Sequence, residues 1–219
     1  MIKIIYKKLN SYFVTLLVFI LLLSLTDKTF TQVRSLKLGV GPSFTLNNLL
    51  PDNARQKITL GGGFDILYGA FPNLGIGINN GYYELGGIRN DTAFRTSVWQ
   101  FKTSLILNMM PYSDINPFIY SGIGLIYFDP KFENGKPLPN LVEGRYQKWS
   151  VILPVGLGVN VFLAEDFCIN FSADYNFAMS DYLDDLKVGS GDQFVSFKIG
   201  ISYFFFDKFY ILRERRSKQ

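Results

Sequence analysis

The sequence predicts an all-β fold: an eight-stranded antiparallel transmembrane up-and-down β-barrel preceded by a signal peptide. Three observations carry that expectation. The 219 residues are 48% hydrophobic and 16% aromatic but only 18% charged, a balance greasier than an ordinary soluble domain. Eight segments alternate apolar residues with small or polar ones, the period-two mark of strands with unlike faces. The connections between these segments run alternately long and short, as they do in barrels that cross a membrane as hairpins.

Residues 1–31 have the layout of a secretory leader. Lys3, Lys7 and Lys8 precede an apolar run from Tyr12 to Leu25, followed by a more polar stretch ending at Thr31. A retained transmembrane helix needs roughly 20 apolar residues, and this run is shorter and bounded by Asp27 and Lys28. The expected organisation is therefore a signal peptide over 1–31, a barrel over 32–206 and a short basic periplasmic tail over 207–219.

Each of the eight segments suffices for the roughly 9–11 tilted residues that cross a bilayer as strand. The first, Ser35 to Leu46, sets Leu38, Val40 and Phe44 against Gly39, Gly41 and Ser43. The second, Ile58 to Ala70, sets Leu60, Phe64 and Ile66 against Gly61, Gly63 and Asp65. The third, Leu74 to Leu85, and the fourth, Phe94 to Met110, oppose Ile76 and Trp99 to Gly77 and Lys102. In the fifth, Pro117 to Phe128, Ile119 and Leu125 face away from Gly122 and Gly124. The sixth, Tyr146 to Leu163, and the seventh, Phe167 to Met179, place Val155 and Phe171 opposite Gly156 and Asp174. The eighth runs from Gln193 to Phe206, with Val195, Phe197, Ile199, Ile201, Tyr203 and Phe205 on its apolar face.

Alternation alone does not separate a membrane barrel from a soluble one, but the charges do. Lys37, Asp65, Lys102, Lys148, Asp174 and Lys198 all fall on the glycine and serine face. A charge on the lipid face at mid-bilayer would cost about 2–4 kcal/mol, so this parity predicts bulk facing lipid and small residues facing the lumen. Asp65 and Asp174 are expected to neutralise the lumen lysines in a packed polar plug without a continuous channel. Trp99 and Trp149 fit the aromatic girdles at the membrane surfaces.

The expected long connections are Asn47 to Lys57, Gly86 to Ala93, Asp129 to Arg145 and Ser180 to Asp192; the short ones are 71–73, 111–116 and 164–166. Long loops at one end and tight turns at the other is the outer-membrane arrangement, with both termini in the periplasm. Turn formers in Glu133-Asn134-Gly135-Lys136-Pro137 and Gly189-Ser190-Gly191 predict mobile extracellular loops. The acidic stretch Asp181-Tyr182-Leu183-Asp184-Asp185, with Asp192 beyond, lacks the spacing of a calcium loop and reads as a solvated loop.

The closing strand resembles the C-terminal signal read by the barrel-assembly machinery of outer-membrane proteins. Lys198 supplies its polar residue, Gly200 the glycine two later, and Tyr203 and Phe205 the aromatics spaced by two. The chain departs from that pattern by continuing past the aromatic, from Asp207 to Gln219. PFIYSGIGLIYF, from Pro117, is similar to the matching strand of OmpA-like barrels, and SLKLGVGPSF and VILPVGLGVNVF resemble the small PorT-like outer-membrane barrels. The resemblance spans about Ser35 to Phe206 and implies an eight-stranded barrel in the outer membrane of a Gram-negative bacterium. It also implies contact with outer-membrane lipid, lipopolysaccharide and the assembly machinery, and it says little about activity.

Enzymatic chemistry finds little support. Small outer-membrane barrel enzymes depend on histidine as base or proton shuttle, and this chain has none. Cys168 is the single cysteine, which excludes an intrachain disulfide and a cysteine-ligated metal cluster, and it reads as a lumen filler. No cofactor or nucleic-acid partner is expected, because the +4 net charge comes largely from the chain ends. The basic tail, Arg213-Glu214-Arg215-Arg216, reads as an exposed end. The functional expectation is a structural or interaction barrel whose long loops present any binding surface, for an extracellular or periplasmic protein partner of unknown identity. The alternative is a small pore passing solutes through the lumen.

Overall fold

The computed structural model describes residues 38–50, 55–89, 92–132, 134–138, 147–164, 166–185 and 191–205. Eight strands form one closed antiparallel barrel in sequence order: β1 (Leu38–Leu50), β2 (Arg55–Tyr68), β3 (Leu74–Arg89), β4 (Thr92–Asn108), β5 (Ile115–Phe132), β6 (Trp149–Phe162), β7 (Phe167–Ala178) and β8 (Gln193–Phe205). The seam pairs β8 with β1, from Leu38 opposite Phe205 to Leu50 opposite Gln193. Closure leaves no free strand edge, which is what lets β-structure cross a membrane with its backbone groups satisfied.

The outer wall is apolar. Phe44, Leu60, Phe64, Leu105, Ile123, Leu157, Phe197 and Ile199 are all exposed on it. On β5 the outward run from Pro117 to Tyr127 covers roughly 33 Å of strand, or roughly 25 Å of height at a typical tilt of about 40°, the thickness of an outer-membrane apolar band. At its loop-side edge an aromatic ladder crosses four strands, with Tyr82 opposite Trp99, Trp99 opposite Tyr127 and Tyr127 opposite Trp149. The Trp99 indole N–H donates to Asn80 Oδ1 at 3.0 Å, keeping its polar edge satisfied in the wall. The outward charges Glu84, Arg95, Asp129 and Lys131 all lie on the loop side of this ladder.

Inward glycines make room for rings on the neighbouring strand. Tyr120 sits opposite Gly156, Phe118 opposite Gly158, Phe204 opposite Gly39 and Phe94 opposite Gly87. A Cβ on Gly156 would meet the Tyr120 ring at 2.5 Å, and one on Gly158 would meet Phe118 at 2.5 Å. These glycines are therefore the sockets of a filled interior, not signs of a hollow one.

Several expected boundaries shift. The long connections predicted at Asn47 to Lys57 and Gly86 to Ala93 shrink to residues 51–54 and 90–91, because β1 to β4 pair well past the membrane band. Gly86 and Gly87, which look like turn formers, lie inside β3. A bulge in the wall falls in β2, where pairing with β3 slips between Lys57 and Gly61. There Thr59 Oγ1 donates to the carbonyls of Asn47, at 3.2 Å, and Glu84. The genuinely long connections are residues 133–148 and 179–192. The leader, the tail, Lys37 and Phe206 lie outside the described residues.

Candidate functional site

The barrel interior divides into two halves of different chemistry. Toward the short turns, β2, β4, β7 and β8 bring four ionisable side chains into the lumen. Lys198 Nζ donates to Asp65 Oδ1 at 2.9 Å, and Lys102 is paired with Asp174. Both bridges join strands that are not neighbours in the wall, so each spans the interior. The Lys102 and Asp174 side chains are 7% and 3% exposed, which makes this pair a buried strut.

A hydrogen-bonded relay continues upward from Asp65. Asn79 Nδ2 donates to Asp65 Oδ1 at 2.7 Å, Gln100 Nε2 donates to Asn79 Oδ1 at 2.6 Å, and the Tyr83 hydroxyl donates to Gln100 Oε1 at 3.0 Å. Buried amides and hydroxyls so linked fix one arrangement of the lumen. Below the pairs a recess of about 100 Å³ opens at the turn end, beside Phe71, Pro72 and Pro111. Cys168 is fully buried among the inward residues, as its parity predicts.

Toward the loops an apolar cluster fills the lumen, with Asn47, Thr96 and Asn176 buried beside it. Leu49, Tyr83, Leu85, Phe94, Val98, Ile126, Phe128, Ile152 and Phe194 form one cluster, each at most 4% exposed. Fully burying a side chain of this size is worth about 1.5–3 kcal/mol. Two loops add stoppers from above. After β5 the chain reverses through Gly135, whose φ of 80° suits glycine, with Gly135 N–H donating to Phe132 O at 2.9 Å and Lys131 bridging to Pro137. That reversal delivers Leu138 to the cluster at 4% exposure.

The acidic stretch supplies the second stopper. Leu183 is fully buried, Thr96 Oγ1 donates to its carbonyl at 2.5 Å, and its N–H donates to Asp192 Oδ2 at 2.7 Å. Gly191 N–H donates to Asp181 Oδ1 at 3.2 Å. Asp181, Asp184, Asp185 and Asp192 are each at most 8% exposed. The expectation of a solvated acidic loop is thus overturned: the apolar Leu183 draws its carboxylate neighbours into the barrel mouth. Next to the exposed turn at 134–137, Leu138 is likewise anchored in the cluster.

The expected polar plug exists only in the turn-end half. Its loop-end counterpart escapes an alternating reading because Leu49, Leu85 and Phe94 sit in or at the edge of the expected loops. The signal for it is loss of alternation, in the unbroken apolar runs Leu125 to Phe128 and Val151 to Leu153. Lys148 is also corrected. It precedes β6, outside the lumen, and its ammonium donates to Asp129 Oδ1 at 2.5 Å while lying 6.0 Å from the Tyr127 ring centre. Strand parity does not extend back past the start of β6 at Trp149.

Asp129 binds Lys131 as well, at 2.6 Å, beyond the aromatic ladder and outside the membrane band. Burial by itself would raise its carboxyl pKa, but hydrogen bonds to Lys131 and Lys148 outweigh this and hold it below the usual range. The bond to Asp129 in turn raises Lys148 above the usual lysine value. Of the assembly-signal residues, Lys198 and Gly200 face inward, where a Cβ on Gly200 would meet Asn170 Oδ1 at 2.4 Å. Tyr203 and Phe205 face outward with their rings edge to face, 5.1 Å between centres. Trp99 and Trp149 stand exposed on the outer ladder, at 58% and 62%.

No family model and no curated protein matches the chain. Solved structures do match in fold. Neisserial surface protein A superposes with a TM-score of 0.54 at 12% identity, over 77% of this chain and 97% of that one. OprG from Pseudomonas aeruginosa gives 0.53 at 12% identity, over 81% and 99%. Ail of Yersinia pestis, in complex with the heparin analogue sucrose octasulfate, gives 0.50 at 13% identity, over 77% and 98%. The fold is that of the small eight-stranded outer-membrane β-barrels.

Proposed function

We propose that this chain is exported by its leader, resides in the outer membrane and acts as a sealed structural or interaction barrel, presenting a binding surface at its loop end. The observation that carries this reading is the apolar cluster under Leu138 and Leu183, which supports a lumen closed at that end. A conduit needs a wetted path, and an eight-stranded interior filled by rings and aliphatic side chains leaves little room for one. The turn-end recess is a blind pocket on this reading, so the pore alternative loses its route. With no histidine in the chain, acyl-transfer or hydrolytic chemistry of the kind run by barrel enzymes has no evident base, which favours a non-enzymatic role.

The loop-end surface is built on tall strands. β3, β4 and β5 run for 16, 17 and 18 residues, longer than the other five, and carry Glu84 paired with Arg95 at 3.3 Å and the Asp129 cluster. A partner would meet this mixed-charge rim and the 133–148 connection, with outer-membrane lipid and lipopolysaccharide around the wall and the assembly machinery reading β8 during insertion. Planar-bilayer recording tests the sealed state. The purified full chain should give no stable conductance, and a stable channel of porin size would overturn this reading in favour of the pore.

A further inference from the structure

The turn-end recess has the features of a binding site, and its inner wall holds an acceptor that the fold leaves unused. Asp65 is 3% exposed. Its Oδ1 takes both the Lys198 ammonium and the Asn79 amide, while among the described residues no donor reaches Oδ2. A buried carboxylate oxygen without a partner is costly, so it marks a place where another donor is wanted. Lys198, 17% exposed at its side chain, lies beside it and keeps donor capacity, since an ammonium carries three N–H bonds.

The rest of the recess narrows the chemistry. Asn108, Asn116, Asn160 and Asn170 line it, and amides both donate and accept. Phe118, Phe162 and Phe204 form its apolar side, with the last two rings 5.6 Å apart. The charges in the recess lining are already matched, Lys198 by Asp65 and Lys102 by Asp174 just outside the lining, so the recess carries no unpaired charge to select a ligand of either sign. Its volume of about 100 Å³ accommodates several water-sized groups, the scale of one sugar ring. Convergent polar groups against an apolar wall is the usual make-up of a small-molecule site.

We propose that this recess binds a neutral, polyhydroxylated small molecule of monosaccharide size from the periplasmic side. The Asp65 carboxylate turns to present Oδ2 to a ligand hydroxyl, other oxygens accept from Lys198 and the asparagine amides, and the carbon face of the ring lies against the phenylalanines. Binding at this end is compatible with a sealed loop end and does not depend on it. The site is therefore separable from the surface role proposed above.

The test is titration of the full chain in detergent micelles with glucose and N-acetylglucosamine, followed by amide NMR shifts, with glucuronate and glucosamine as charged counterparts. A neutral sugar should bind saturably in the millimolar range and shift amides of β2, β7 and β8 at the turn end. The variant N160L lies in the wall away from both ion pairs and should weaken binding at least tenfold while keeping heat-modifiable migration on a gel. The double variant D65N/K198Q should do the same. If the double variant fails to fold, N160L alone decides. Absence of saturable binding by both neutral sugars, equal binding by folded N160L, or tenfold preference for a charged counterpart would each overturn the proposal.

Discussion

The turn-end and loop-end halves of the interior are closed by opposite means. In the turn-end half, charged side chains from non-adjacent strands find one another across the lumen, as Lys102 does Asp174 and Lys198 does Asp65. In the loop-end half, Phe128, Phe194, Leu49 and Leu183 exclude water chiefly by apolar packing, with polar partners confined to the mouth around Leu183. A buried pair adds little net stability because desolvation offsets attraction, yet it penalises any arrangement that separates its members. Apolar burial is forgiving of detail but contributes directly. The contrast assigns selection of one strand arrangement to the polar half and much of the holding energy to the apolar half.

The comparison can be broken most severely at the buried strut. Lys102→Met leaves Asp174 charged and alone, and should cost about 3–5 kcal/mol in urea unfolding from lipid vesicles followed by Trp99 and Trp149 fluorescence. Adding Asp174→Leu should recover most of that loss. Equal losses for the single and double variants would mean that the pair itself is not what matters. At the opposite end, Leu183→Ala should cost about 2–3 kcal/mol, the lower part of the range for a buried leucine, because its loop can relax toward the gap.

Gly156→Ala probes the boundary between the halves. Its new methyl would meet the Tyr120 ring at 2.5 Å and the Ala173 carbonyl oxygen at 2.7 Å, so about 1–2 kcal/mol should be lost by overpacking. Pairing it with Tyr120→Leu should restore part of the difference, and failure to do so would point to the backbone contact as the cause.

The smallest effect belongs to the rim. Asp129 has a lowered pKa in the folded chain, so its contribution is present above the unfolded value and lost as pH falls through the folded one. Lys148 has a raised pKa, so its contribution is present below the ordinary lysine value and lost as pH rises through the folded one. Together they should support the rim between about pH 4 and pH 10, by less than about 1 kcal/mol because both lysines are substantially exposed. Asp129→Asn should flatten that dependence, and an unchanged pH profile would remove the cluster from any role in rim stability.

How much of this was legible in the chain follows from what alternation encodes. It marks the face of each residue within a strand, and so it led to eight strands, the lipid-facing aromatics and the inward placement of Asp65, Lys102, Asp174 and Lys198. Which lysine meets which aspartate depends on strand tilt and stagger, which period-two patterning does not carry. Loop ends were read from Asn, Gly and Asp content, and Gly86, Gly87, Asn47 and Asn48 satisfy that reading while sitting in strands. Leu138 and Leu183 lie in loop stretches whose other apolar residues carry no period, and only a three-dimensional mouth waiting for them gives them meaning.

The two-residue link between β3 and β4 bears on how the barrel assembles in time. All 16 residues of β3 pair with β4, from Arg89 opposite Thr92 down to Leu74 opposite Leu107. Closing so short a loop sacrifices little chain entropy, and each further pair zips onto the last with minimal sequence separation. The seam between β1 and β8, by contrast, joins the two most distant strands and must wait for the rest. Insertion should therefore begin at the centre of the chain and finish at its ends, with lengthening of the 90–91 link slowing the first step and substitutions along the seam slowing only the last.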